Sequence, residues 1–277
     1  QLPGLRGQGA RYRPLLTVRD PGVRQVLRLM APRVLGLSFS EVNKFIILFL
    51  TGTMALGTLP ALNAAFRILI MPQGILGQAL GIAAFPTLAA LAARRAFRDM
   101  RGILSDSLRL VLFLGLPATV FLALLAEPYI TILFQRGLFD AQATALVSAA
   151  LRFYALGLIA LTALEVVARA FYALSDTLTP VLAGGLQILV MWGLSLWFRD
   201  AVFPGLGWLP LGGLALGFSL SNILEVGVLL WLLRRRLGGL DGRALLSAAT
   251  RMSLAALVMA AAIVPALQQY LEQYKPK

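Results

Sequence analysis

Neither cysteine nor histidine occurs anywhere in this sequence. Without cysteine there is no disulfide framework, no thiol nucleophile and no thiolate metal site. Without histidine the chain loses the usual general base and the commonest metal ligand. Hydrolytic triads and zinc chemistry are therefore excluded, and no cofactor or metal is implied. Charge is scarce as well: 13% of residues are Asp, Glu, Lys or Arg, and only 12 of those are acids. Soluble domains carry about 25% charged residues. What fills the space is apolar, with 59% hydrophobic residues and a mean hydropathy of +0.82. Lipid is the only solvent that suits most of this chain.

The net charge of +13 does not point to nucleic acid, because the arginines gather at the ends of apolar runs. A transmembrane helix needs about 20 apolar residues. Seven such runs can be marked: Val26–Leu50, Leu59–Leu91, Ile103–Ala126, Ala143–Ala170, Val181–Phe198, Leu211–Leu233 and Ala244–Leu267. Fifteen arginines fall in residues 1–28, 94–101, 169–178 and 234–243, against four basic residues in the alternate loops and tail. The positive-inside rule then places the N-terminus in the cytoplasm and the C-terminal tail outside. The chain begins at Gln1 and shows no signal peptide, which reads as the later part of a longer polypeptide. The expected architecture is an all-α integral membrane bundle of about seven helices. Residues 1–25 form a basic cytoplasmic connector, 26–236 a six-helix lobe, and 237–277 an additional helix with a short external tail. The connector's arginines suit an anionic membrane surface or a solvated linker. A short interfacial helix is expected within 127–142, and Thr179 followed by Pro180 reads as an N-cap and first helical residue.

The second run is the least ordinary. It is interrupted by Pro72, Gly74, Gly77, Gly81 and Pro86, and it carries Arg67 with no acid within ten residues on either side. A charge at mid-bilayer costs about 2.5–3.5 kcal/mol on insertion scales, so it turns towards a cavity or a partner. Broken helices at that depth need protein or water to satisfy the freed backbone. Asn63 lies one turn before Arg67 on the same face, so the pair can grip one ligand. A guanidinium offers a planar fork of donors suited to phosphate or carboxylate. The structural alternative is an arginine satisfied by carbonyls or by Glu165 or Glu41. The first run holds Arg33, Glu41, Asn43 and Lys44; Glu41 and Lys44, three apart, either neutralise each other or line the cavity. Asn222 and Glu225 form a polar patch on the sixth run, read as inter-helix glue or an ion site. GLALGFSLSN in the same run is rich in small residues, a close-packing signal.

The segment LNAAFRILIMPQGILGQALGIAAFPTL resembles a signature of the MurJ/MviN lipid II flippases, within the multidrug/oligosaccharidyl-lipid/polysaccharide exporter superfamily. LFQRGLFDAQAT, RAFYALSDTLTPV and the opening QLPGLRGQGARYRP match further family stretches in the same order. The resemblance covers essentially the whole chain. It implies the second lobe of a two-lobe transporter in the bacterial inner membrane, with a missing N-terminal lobe as partner. It implies no covalent chemistry, but movement of an undecaprenyl-pyrophosphate-linked peptidoglycan precursor between leaflets by alternating access through a cationic cavity. Arg67 aligns with the family's substrate arginine, and Asn63, Lys44, Asn43, Glu41 and Arg33 are expected around it. Pro72, Gly74, Gly77, Gly81 and Pro86 are expected as hinges, and membrane lipids as neighbours. Family acids are replaced by Phe66 and Ile70. The alternatives are export of another undecaprenyl-linked oligosaccharide or of a drug cation, and a non-transporting scaffold or degenerate pseudo-transporter.

Overall fold

The computed structural model describes residues 23–24, 41–240 and 242–273. All regular structure among them is helical. Residues 41–51 (α1) lead through a short turn to α2 (Thr58–Gln73) and α3 (Ala79–Ala93). There follow α4 (Phe97–Leu124), α5 (Ala126–Phe134), α6 (Ala141–Ala155), α7 (Leu158–Ala173) and α8 (Leu178–Trp197). A three-residue turn of helix, α9 (Phe203–Gly205), precedes α10 (Pro210–Arg236) and α11 (Gly242–Gln273). Five helical stretches are long and apolar enough to cross a membrane, or six if α6 and α7 count as one bent span. These match the second to seventh expected runs. Most of the first lies outside the described residues, as do Pro32 and Arg33.

Hydropathy decides that these helices cross the bilayer, and side-chain size decides how they stack. α10 is the axis: 44% of its most apolar window is buried, against 6% for α11. One core packs α2, α6 and α10 around Leu62, Leu69, Leu151 and Leu214. The other packs α4, α7 and α10 around Leu104, Val167, Phe171 and Leu229. α11 lies against α4 at the periphery. The small residues of α10 let its neighbours close in, while Ile223, Leu224 and Trp231 stay exposed on its outer face. The short helix expected after the third span is α5.

Three local features depart from the expectation. The second span, expected as a broken helix, is one 36-residue helical stretch, Thr58–Ala93. Pro72 removes one backbone donor, and the ladder absorbs the loss in a wider π turn at Gly74–Gln78. The fourth span is the one that breaks: α6 and α7 meet at 47°. Gly157 at the corner lies so close to α10 that a Cβ there would sit 2.8 Å from Ser219 Oγ. That hydroxyl donates to the carbonyls of Phe153 (2.8 Å) and Tyr154 (3.3 Å), satisfying groups the corner frees.

The third concerns the start of α8. Thr179 is not the cap. Asp176 Oδ1 accepts from the backbone N–H groups of Leu178 (3.1 Å) and Thr179 (3.0 Å), and Pro180 falls at the third helical position. Its other oxygen takes the Thr179 hydroxyl and an ion pair from Arg236 at 2.5 Å. A carboxylate reaching two N–H groups outcompetes a threonine that is already helical. Burial pushes the Asp176 carboxyl up, but the Thr179 hydrogen bonds and the Arg236 charge outweigh it and hold the value below the ordinary 3.8. A carboxylate with a depressed native pKa stabilises the fold above its unfolded value and loses that contribution as pH falls through the native one. Asp176→Ala is therefore expected to destabilise the protein by about 1–2 kcal/mol at pH 7. The difference from wild type should shrink below pH 3.8 when unfolding is followed by tryptophan fluorescence; a pH-independent difference would contradict the linkage.

Candidate functional site

A cavity of about 620 Å³ opens among α1, α2, α6, α7, α8 and α10. Polar side chains come from four of these helices: Asn43 and Lys44 from α1, Asn63 from α2, Gln187 from α8, Asn222 and Glu225 from α10. The rings of Phe66, Tyr154 and Phe218 supply an aromatic side. They pack edge-to-face, with centroids 5.4–5.8 Å apart.

One polar chain crosses this wall. Asn43 Nδ2 donates to Gln187 Oε1 at 3.3 Å, and Gln187 Nε2 donates to Ser221 Oγ at 2.9 Å. It ties α1 to α8 and α8 to α10. A second tie holds the far end of α1, where Arg199 Nη1 donates to the Leu50 carbonyl at 3.0 Å while Asp200 neutralises the guanidinium. The glue between α8 and α10 is therefore Gln187 with Ser221, not Asn222 with Glu225. Asn222 Nδ2 turns back to Phe218 O on its own helix, at 2.8 Å. Glu225 is 7% exposed and has no hydrogen-bond or ion-pair partner among the described residues.

The expected site residues divide. Asn43, Lys44 and Asn63 come together on the cavity. Glu41 does not line it, but holds Lys44 in an exposed ion pair at 2.8 Å. Arg67 does not line it either: Phe66, one position earlier, faces the space. Arg67 is exposed one turn beyond Asn63, with no ion-pair partner among the described residues. The acids weighed as its partners are taken elsewhere. Glu165 binds Arg169 at 2.6 Å, and Glu41 binds Lys44. Arg169, which the charge tally places in a loop, belongs to α7. Arg33 lies outside the described residues. Gln187, Tyr154 and Phe218 join the site without having been expected there; the packing of α6, α8 and α10 brings them to the cavity.

Among the expected hinges, Gly77 and Gly81 are close-approach positions. A Cβ on Gly77 would lie 3.1 Å from Glu165 Cγ, and one on Gly81 would overlap the Arg169 guanidinium. Gly74 has open space around it. Pro72 and Pro86 sit inside continuous helix.

The family model described as "Lipid II flippase MurJ" matches residues 1–277, the whole chain. The chain belongs to the MurJ lipid II flippase family. A probable lipid II flippase MurJ of Vibrio cholerae is 30% identical over 232 residues, covering 83% of this chain and 42% of that protein. One from Bdellovibrio bacteriovorus is 28% identical over 261 residues, covering 94% of this chain and 48% of its own. The chain thus spans under half the length of these MurJ relatives. The fold agrees with a solved structure of lipid II flippase MurJ in an inward closed conformation, at TM-score 0.72 and 23% identity, over 96% of this chain and 52% of that one.

Proposed function

We propose that this MurJ-family chain forms one lobe of a transporter that moves a lipid-linked peptidoglycan precursor from the inner to the outer leaflet. The cargo is an undecaprenyl-pyrophosphate-linked headgroup, passed by alternating access between this lobe and an N-terminal one. The observation that carries the reading is Arg67: an exposed guanidinium inside an apolar span, without a counter-ion among the described residues, one turn from Asn63 on the cavity rim. A charge left unpaired at membrane depth is a functional site by default, and a free guanidinium fork fits the oxygens of a pyrophosphate. The lobe performs no covalent chemistry in this reading. It supplies polar surface where the bilayer has none. The arginine-rich ends of the spans support a cytoplasmic N-terminus and an external tail. Bending at Gly74, next to Pro72 and the π turn, is the proposed hinge.

Glu225 favours a second reading, since an uncompensated acid is what an exporter of organic cations would place in its cavity. Fluorescent lipid II translocation in proteoliposomes separates the two. With the full-length protein, Arg67→Ala should slow transport at least tenfold, as loss of a hydrogen bond to a charged group costs about 1.5–3 kcal/mol. Arg67→Lys should retain part of the rate. Wild-type rates in the alanine variant would overturn the proposed role of Arg67. Transport of cationic dyes without lipid II transport would establish the second reading.

A further inference from the structure

The cavity wall has a chemical bias that Arg67 does not share. Two acceptors on it lack donors among the described residues: the Asn222 side-chain oxygen and the Glu225 carboxylate. The amide nitrogens of Asn43 and Asn222 already bind Gln187 and Phe218. Among the described residues, the cation lining the cavity, Lys44, is held by Glu41. The unpaired carboxylate and amide oxygen call for a ligand that brings donors. The Phe66, Tyr154 and Phe218 rings line the same space. Acceptors beside aromatic carbon suit a sugar, whose hydroxyl and acetamido N–H groups donate while its C–H faces pack on rings. Size points the same way. About 620 Å³ lies within the roughly 300–1,000 Å³ of small-molecule sites and far exceeds what a single ion occupies.

We propose that this cavity is the saccharide subsite of the lobe, taking an amino-sugar unit of the headgroup while Arg67 takes the adjoining pyrophosphate. The assignment rests on the lipid-linked reading above. It also uses the spacing on α2, since Asn63 at the cavity and Arg67 outside it are one helical turn apart, about 5–6 Å. That is the separation of a sugar ring from the phosphate it carries. Glu225 and Asn222 then discriminate between sugar-bearing and sugar-free lipids, and Arg67 does not.

The test compares binding of two probes, lipid II and undecaprenyl pyrophosphate, to full-length protein in nanodiscs by native mass spectrometry. Wild type should favour lipid II, and Glu225→Gln and Asn222→Ala should each reduce that preference at least fivefold with undecaprenyl pyrophosphate still bound. Retained binding of the second probe also shows that each variant is folded. Arg67→Ala should weaken both probes together. Equal losses for both probes in the Glu225 and Asn222 variants, or an unchanged preference, would overturn the subsite. So would a preference that disappears on removing sodium, which would give the cavity to a metal ion. If wild type binds neither probe, the lipid-linked reading itself fails, an outcome distinct from loss of preference alone.

Discussion

Replacing Gly217 with leucine is expected to pry α8 from α10 and destabilise the protein by about 3 kcal/mol or more, at the upper end of the range for overpacked interfaces. Even a bare Cβ at Gly217 would lie 2.6 Å from Ser195 Oγ, 2.9 Å from its backbone N and 3.0 Å from its Cα. A hydroxyl can rotate away, but backbone cannot. One turn earlier, a Cβ on Gly213 would meet the backbone of Phe198 and Arg199 at 2.9 Å. Gly213 and Gly217 thus form a small-xxx-small track that lets two helices touch backbone to backbone in lipid, where packing replaces the hydrophobic effect as the driving force. The consequence reaches the cavity, because this contact sets Gln187 against Ser221. The control is Gly193→Leu on α8, where a Cβ has nothing within 4 Å. Thermal unfolding in detergent should show a lowered midpoint for the Gly217 variant and little change for the Gly193 one. Equal midpoints would mean the two helices are not held by this track.

The track was legible as GLALGFSLSN, and the spans were legible as apolar runs, because both depend on composition over a turn or more. Direction was not. The fourth run reads as one straight helix, yet it turns at Gly157, and the group that makes the corner tolerable is Ser219, 62 residues later on α10. The same limit explains Asp176. Thr179–Pro180 matches the local pattern of a helix start, but Asp176 reaches both the N–H groups and Arg236 at the end of α10. At the site, Asn43, Lys44 and Asn63 announced themselves as polar residues in apolar surroundings, and the cavity gathers them. Arg67 did so too, but a helix advances about 100° per residue. That step separates Phe66, which faces the cavity, from Arg67, which does not. At position 66 the ring of Phe66 joins those of Tyr154 and Phe218.

Glu165→Ala is expected to cost about 3 kcal/mol, because it strands a charge inside the membrane bundle. Glu165 and Arg169 lie one turn apart on α7, their side chains 31% and 20% exposed, and bind at 2.6 Å. Gln73 Nε2 adds a hydrogen bond to the carboxylate at 3.4 Å from just ahead of the π turn. Opposite them, Gly77 and Gly81 leave the room that the pair fills. Without Glu165, Arg169 keeps, among the described residues, its hydrogen bond to the backbone carbonyl of position 165, at 2.7 Å. The guanidinium, 20% exposed, is then left as an uncompensated, partly buried charge. Removing both charges should cost less than removing either acid or base alone, since no ion is then left uncompensated. A double-mutant cycle with Glu165→Ala and Arg169→Ala, followed by denaturant unfolding in detergent, should give a coupling of at least about 1 kcal/mol. Additive losses would show that the two side chains act independently. Strong coupling would show that they are one neutral unit, which is how α7 can lie directly on the α2–α3 helix and still leave Arg67 without an ion-pair partner among the described residues.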